Sequence, residues 1–282
     1  LTLFTLILRP VGFEYRSKVD DARWRAACDW ALFAAGVVPA VIFGVAFGNL
    51  LQGVPFHFDG DMRAAYTGGF LELLNPFGLF CGLISLAMIV MHGSVWLQLR
   101  TGGEISRRAG QVTWIAGGLF VAAFVLAGVW VTHIPGYRIL AMPSPELALT
   151  PLDKHVVHEA GAWMRNYRDF PWCWIAPAMA VGGAAAAMIA AHLRVTRLAF
   201  VASASSVAGT ILTAAVAMYP FIMPSASSPD SSLTVWDAVS SRATLLTMFW
   251  ATIIFLPLIL VYTSWVYWVL RGKVDRGEDR SY

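Results

Sequence analysis

The stretch RPVGFEYRSKVDDARWRAACDWALFAAGVVPAVIFGVAFGNLLQGVPF, residues 9–56, decides the fold of this chain. Its basic first part leads into residues 30–47, which contain no ionisable side chain. In helical form, about 18–20 apolar residues span a hydrocarbon core roughly 30 Å thick. Because each backbone amide and carbonyl in that core must pair within its own segment, we predict a transmembrane helix over residues 30–51.

Composition places the whole chain in a membrane. Hydrophobic residues make up 58% of it and charged residues only 13%, whereas a soluble domain has about 25% charged residues. The net charge of +3 is too small to indicate a nucleic-acid partner. The scattered cysteines, Cys28, Cys81 and Cys173, have neither metal-binding nor disulfide spacing, so we interpret them as packing residues.

Further apolar runs of membrane-spanning length follow the first. Asn75 and Pro76 open the second, as an N-cap residue and a proline suited to the first helical turn. Residues 1–8 are too short to cross, and we expect them to end a helix that begins earlier in a longer subunit. The sequence thus predicts an all-α integral membrane protein: one membrane domain over residues 1–282, with six complete transmembrane helices in bundles and the end of another. The later spans are residues 75–99, 112–133, 172–191, 198–223 and 245–270.

Lysine and arginine divide the connections into two sets. Cytoplasmic loops carry an excess of these residues, so we expect the short basic connections and the C-terminus in the cytoplasm, and residues 134–171 in the periplasm. The basic set comprises Arg9, Arg16, Lys18, Arg23, Arg25, Arg100, Arg107, Arg108, Arg194, Arg197, Arg271, Lys273, Arg276 and Arg280. The longer opposite segments contain Arg63, Arg138, Lys154, Arg165, Arg168 and Arg242.

Residues 134–171 contain the pattern of an amphipathic surface helix. Thr150 and Pro151 resemble a capped helix start, with Asp153 in the first turn. Apolar residues then recur at helical intervals, while Arg165 and Arg168 favour the C-terminal end. We therefore predict an extramembrane helix that lies on the membrane or on a partner. Its apolar stripe comprises Val156, Val157, Ala160, Trp163 and Met164.

Among ionisable residues, His92 is the exception that falls deep inside a predicted span, about 12 Å of helix rise from Arg100. Ionisable residues at such depth often mark a proton or ion route. One interpretation is a haem ligand or proton relay. The other is a histidine hydrogen-bonded to a neighbouring helix, which the lack of a second histidine at helical spacing favours.

Three acidic residues are weaker functional candidates. Asp29, at the start of the first span, either feeds protons into the membrane or simply interacts with the helix dipole. Glu159 follows His155 and His158, so a metal site and a solvated helix face are the two interpretations. Asp237 precedes the last span and either caps or anchors it. We assign none of these residues as catalytic, cofactor-binding or metal-binding.

Small residues predict close contacts between helices. Gly44 and Gly48 form a GxxxG pair, and residues 182–187 are all glycine or alanine. This pattern favours a packed bundle over a wide aqueous channel. A transporter or channel is the alternative, suggested by the many spans and by Gly36 and Pro39 within one of them, although the polar lining typical of transporters is scarce.

Six segments resemble subunit II of cytochrome bd-type quinol oxidases, and together they extend over nearly the whole chain. The cyanide-insensitive oxidases have the same type of subunit, so the resemblance covers both subclasses. The segments are RPVGFEYRSK (9–18), GVAFGNLLQGVPF (44–56), LNPFGL (74–79), LAGVW (126–130), EAGAW (159–163) and LTVWDA (233–238).

The resemblance implies a complex in the bacterial inner membrane. Subunit II of this family pairs with a homologous subunit I, which holds haem b and haem d and oxidises quinol, and each subunit has two four-helix bundles plus a peripheral helix. The complex reduces dioxygen to water and generates a proton motive force. Subunit II looks like a haem-free support that helps to form proton and oxygen routes and contacts quinol and the surrounding lipid. The family leaves room for a structural quinone and a small accessory subunit.

One part of the family pattern does not map onto this chain. The acidic motif of the family's first helix and a later Trp-Asp-Gly-Asn segment would precede Leu1. We therefore carry over no residue of the proton route and no catalytic residue.

Overall fold

The computed structural model describes residues 2–69, 71–143 and 150–272. Its helices are α1 (Thr2–Tyr15), α2 (Ala22–Gln52), α3 (Pro76–Arg100), α4 (Gly103–Val131), α5 (Arg165–Asp169), α6 (Ile175–His192), α7 (Thr196–Met218) and α8 (Arg242–Val269). Its strands are β1 (Phe56–Phe58), β2 (Ala64–Tyr66), β3 (Pro135–Ala141), β4 (His155–Ala160), β5 (Phe221–Met223) and β6 (Leu233–Thr234), which pair consecutively in antiparallel two-stranded sheets. Within these ranges six helices are long and apolar enough to cross a membrane, as predicted: α2, α3, α4, α6 with its preceding turn, α7 and α8.

Helix starts follow local chemistry. The Asn75 side chain accepts a hydrogen bond from the Gly78 amide at 2.7 Å, and Pro76 opens α3, which confirms the predicted cap. Helix α2 begins after Asp21 and passes through Gly36 and Pro39 without a break. The segment that suggested a transporter is therefore part of one continuous helix.

Close packing of small residues builds the bundle. Helix α3 packs between α2 and α4, and the α6–α7 hairpin packs against α3 and α4. A Cβ atom added to Gly44 would lie 2.7 Å from the Gly82 Cα, and one added to Gly48 would lie 2.8 Å from the Gly78 Cα. The predicted close approach at this GxxxG pair is confirmed, since no side chain fits between α2 and α3.

The longer connections form one layer at one end of the bundle, which we call the cap: residues 53–75, 132–174 and 219–241 within the described ranges. Hydrogen bonds tie its parts together, for example from the Val54 amide to the Pro224 carbonyl at 2.9 Å. The Trp163 indole donates to the Leu51 carbonyl at 3.0 Å and so joins the cap to the end of α2. The connections that sequence analysis placed on one side therefore do share a side.

The predicted surface helix is wrong. Residues His155–Ala160 form strand β4, which pairs with β3, and helical structure returns only as a 3₁₀ turn, Ala162–Met164, and as α5. Thr150 and Asp153 do bond as a capped start, but they open only a separate 3₁₀ turn, Pro151–Asp153. The β-branched valines suit an extended strand, and β3 supplies backbone partners that a short isolated helix lacks.

Several helix ends also differ from the predictions. Helix α4 begins at Gly103, so Arg107 and Arg108 lie in a helix and not in a loop. The fifth span ends at Met218 instead of residue 223, because Phe221–Met223 pairs with β6. The end of the basic tail, with Lys273, Arg276 and Arg280, lies outside the described residues.

Candidate functional site

His92 lies in α3 and contacts α7. Its Nδ1 atom is 2.8 Å from the Ser203 hydroxyl, which itself donates to the Phe200 carbonyl at 2.9 Å. The imidazole also stacks on the Phe200 ring, with the centroids 5.0 Å apart. The predicted hydrogen bond to a neighbouring helix is confirmed. These contacts use one ring nitrogen and one ring face for packing within the chain, while a role of His92 as a haem ligand or proton relay stays a prediction.

Asp29 is half-exposed and forms a two-point ion pair across the α1–α2 connection. The Arg16 Nε donates to one carboxylate oxygen at 2.6 Å and Nη2 donates to the other at 3.1 Å. The hydrogen bond and charge of Asp29 raise the pKa of Arg16 above its ordinary value. This geometry anchors the start of α2, while a role of Asp29 in proton entry stays a prediction.

Glu159 and its two neighbouring histidines point to different partners. Glu159 pairs with Arg138 of the adjacent strand at 3.0 Å. His155 lies 3.2 Å from the Asp230 carboxylate, and His158 packs against Tyr137 with ring centroids 4.5 Å apart. Successive residues of a strand face opposite sides, so the His158 side chain points away from that of Glu159. Among the described residues, no three histidine, cysteine or acidic side chains are grouped to hold a metal ion.

Asp237 is part of the most deeply buried ion pair of the described chain. The Lys154 ammonium donates to its carboxylate at 2.6 Å, and each side chain is only 1% exposed. Lys154 also donates to the Pro151 carbonyl at 2.7 Å, and Asp237 accepts from the Thr234 amide at 2.7 Å. The prediction that Asp237 caps the last span is wrong, because Ser241 holds the N-cap position of α8. Asp237 instead joins two connections inside the cap.

Beside its buried apolar cluster, the cap interior also contains further polar groups that are paired. The Asp230 carboxylate accepts from the Val156 amide at 2.6 Å, which fixes the start of β4. Buried Ser225 donates to the Phe56 carbonyl and accepts from the Ser228 amide. Burial raises the pKa of Tyr137 to about 12, so its hydroxyl stays protonated near neutral pH. Sequence analysis missed this interior, because isolated serines and one lysine in loops carry no recognisable pattern.

A second buried polar group lies between membrane helices. The Thr113 hydroxyl of α4 lies 2.8 Å from the Ser94 hydroxyl and accepts from the Gln98 amide at 2.8 Å. These side chains join α3 to α4 without a charge. Single polar residues in apolar runs are the signal that could have found them, since such residues usually bond across helices.

Sequence comparisons agree on one family. The family described as cytochrome bd terminal oxidase subunit II matches residues 1–270. A probable cytochrome oxidase subunit 2 of Haemophilus influenzae is 49% identical over 98% of this chain and 73% of that protein. Cytochrome bd-I ubiquinol oxidase subunit 2 of Escherichia coli K12 is 45% identical over 99% of this chain and 74% of that protein.

A solved structure shares the fold. It is the bd oxidase from Geobacillus thermodenitrificans, with a TM-score of 0.66 at 12% identity over 96% of this chain and 72% of that chain. At this identity the likeness shows the helical membrane fold alone. The transporter or channel alternative is not supported by any of these comparisons.

Proposed function

This chain belongs to the cytochrome bd terminal oxidase subunit II family and is part of a terminal quinol oxidase; from that premise we propose that it is the haem-free supporting subunit of the complex. A subunit I partner and a haem-bearing complex follow from the family. The finer assignment, with haem b and haem d both held by subunit I, is the proposal. The family match over residues 1–270 carries it.

The proposed reaction is that of the whole complex. Subunit I oxidises quinol, ubiquinol in the named Escherichia coli relative, and reduces dioxygen to water with a gain in proton motive force. The present chain supplies a bundle whose close glycine and alanine contacts hold its own helices together, and this bundle would support the partner. A structural quinone, annular lipid and a small accessory subunit are further expected components.

A haem difference spectrum tests the assignment. The purified complex should show haem bands, and this chain separated from its partner should show none. The variant His92→Gln removes the imidazole but retains a side chain able to bond Ser203, so haem content per complex should be unchanged. Haem that stays with the separated chain, or that is lost in His92→Gln while the complex remains assembled, would contradict the proposal.

The orientation is a separate proposal. We place the cap in the periplasm and the short basic connections in the cytoplasm, because cytoplasmic connections are enriched in lysine and arginine. An impermeant maleimide should label Gly60→Cys, in the exposed cap, from the periplasmic side and Lys18→Cys only after the membrane is opened. The native cysteines Cys28 and Cys173 are buried and Cys81 is partly buried, which limits the background. Reversed labelling would overturn the orientation.

A further inference from the structure

Three helix ends meet on the side of the bundle opposite the cap, and each carries an arginine. Helix α3 ends there at Arg100, Arg197 lies in the first turn of α7, and Arg271 follows the end of α8 by two residues. Just inside them, Trp96 lies 5.3 Å from Phe200 of α7 and 6.0 Å from Tyr267 of α8, measured between ring centroids. The Arg100 guanidinium also donates to the Leu270 carbonyl at 2.7 Å, which ties α3 to the end of α8. The result is a basic rim around an aromatic cluster.

The positive charge of this rim is not paired with an acidic side chain in the part of the chain that the structure describes. Among the described residues, Arg100, Arg197 and Arg271 form no ion pair, whereas other arginines at this end do. The Arg100 guanidinium lies 4.6 Å from the Trp96 ring centroid, and its buried Nε atom has no hydrogen-bond acceptor. Beyond Gly272, the sequence adds equal numbers of basic and acidic residues, so it brings no net negative charge.

The surface below the rim is apolar and faces outward. Tyr267, Trp268 and Leu270 are 55%, 58% and 67% exposed, and no residue of α8 is buried. The Arg271 guanidinium lies over the Trp268 ring at 4.5 Å. Tryptophan and tyrosine prefer the headgroup level of a bilayer, so the arginines stand where phosphate groups occur. Acyl chains can lie along α8 beneath them.

We propose that the ends of α3 and α8 bind an anionic phospholipid. Its phosphate would contact Arg100 and Arg271, and its acyl chains would cover the outer face of α8. Guanidinium groups bind phosphate oxygens with two parallel hydrogen bonds, and basic pockets between transmembrane helices bind anionic headgroups. One such headgroup would supply the counter-charge that the rim lacks among the described residues.

Lipid retention by the intact complex tests the site. The complex, purified with its partner subunit and stripped of native lipid, is exposed to equal amounts of phosphatidylglycerol and phosphatidylcholine, and bound lipid is counted by native mass spectrometry. The wild type should retain phosphatidylglycerol in preference to phosphatidylcholine. Each arginine near a headgroup contributes about fivefold in affinity, so Arg100→Gln with Arg271→Gln should weaken retention about 25-fold.

Matched variants keep the result interpretable. Arg107→Gln with Arg108→Gln lies at the same end of the bundle but removes guanidinium groups already paired with Glu104, and it should retain the lipid. Arg271→Gln alone changes an exposed side chain and should weaken retention about fivefold, even if the Arg100 variant does not assemble. Equal retention in all variants would overturn the site. So would a wild type that keeps no phosphatidylglycerol, or release of the lipid by inorganic phosphate, which would indicate a site for free anions.

Discussion

The α6–α7 hairpin and α8 are both long apolar segments, yet they relate to the rest of the chain in opposite ways. The most apolar windows of α6, α7 and α8 have mean hydropathies of 1.7, 1.7 and 2.3, respectively. The first two windows are 33% and 28% buried inside the chain, whereas that of α8 is 0% buried. Hydropathy therefore predicts insertion in the membrane, but it does not predict which helix packs within the subunit.

Side-chain size accounts for the difference. The α6–α7 contact consists of small residues, with Ala180 and Ala184 fully buried and a Cβ on Gly209 placed 2.8 Å from the Ala176 carbonyl oxygen. In a bilayer, close van der Waals packing and hydrogen bonds drive helix association, because lipid tails are as apolar as leucine. Helix α8 carries large side chains such as Phe255 and Trp265, which suit lipid or a partner subunit. It is held by its ends.

The largest expected effect comes from loosening the cap end of α8. Lys154→Met leaves the Asp237 carboxylate buried without its ammonium partner, at a cost of about 3–5 kcal/mol in the free energy of unfolding. Hydrogen exchange should rise in residues 233–241 while α6 and α7 stay protected. A second change, Asp237→Leu, removes the unpaired charge and should recover most of the loss. If the double variant is as unstable as Lys154→Met alone, the unpaired Asp237 charge is not the cause of the lost stability.

The next effect separates two adjacent glycines of α6. A Cβ on Gly183 would lie 2.8 Å from the Ala202 carbonyl oxygen and 2.7 Å from the Ser206 amide nitrogen, whereas one on Gly182 meets nothing within 4 Å. Gly183→Leu should therefore force the hairpin apart and destabilise the complex by about 2–3 kcal/mol. Gly182→Leu is the matched control and should leave thermal unfolding nearly unchanged. Equal melting temperatures would show that this contact is not tightly packed.

A smaller effect is expected from a hydrogen bond inside the same contact. The buried Ser206 hydroxyl donates to the Ala180 carbonyl at 2.7 Å, so Ser206→Ala should cost about 0.5–1.5 kcal/mol. Ser205 is only partly buried and makes no side-chain hydrogen bond within the described residues, so Ser205→Ala serves as the control. Chemical denaturation of the two variants side by side measures the difference. Identical midpoints would argue that packing alone holds α6 to α7.

The smallest effect is a pH dependence confined to the cap. The Thr150 amide and hydroxyl bond the Asp153 carboxylate and hold its pKa below the ordinary value. A lowered folded-state pKa gives stability above the unfolded pKa of about 3.9, and this stability is lost as the pH falls through the folded value. Hydrogen exchange near Asp153 should rise in this acidic range, whereas the α6–α7 contact should not respond. Asp153→Asn should abolish the dependence. If the pH dependence of hydrogen exchange is unaltered in Asp153→Asn, it comes from another titrating group.

The membrane spans could be predicted because each depends on a continuous run of residues. Helix ends were less predictable: α2 and α4 begin at Ala22 and Gly103, before the apolar runs, because helices extend beyond the hydrocarbon core. The prediction of a surface helix failed because the backbone of β4 pairs with β3, an earlier segment of the chain. At the candidate site, the helix-to-helix bond of His92 was predictable, but the Lys154 partner of Asp237 was not.

The sequence by itself determined that this is a helical membrane protein with six spans. It also determined the place where two of its helices approach closely and the family that the chain resembles. These properties follow from side-chain hydropathy, residue size and local motifs, each readable within a few turns of helix. Only the tertiary structure decided that Asp237 pairs with Lys154, that residues His155–Ala160 form a strand, and that α8 stands free of the bundle beside Arg100. Those features depend on which residues far apart in the chain come into contact, and such tertiary contacts can override local preference.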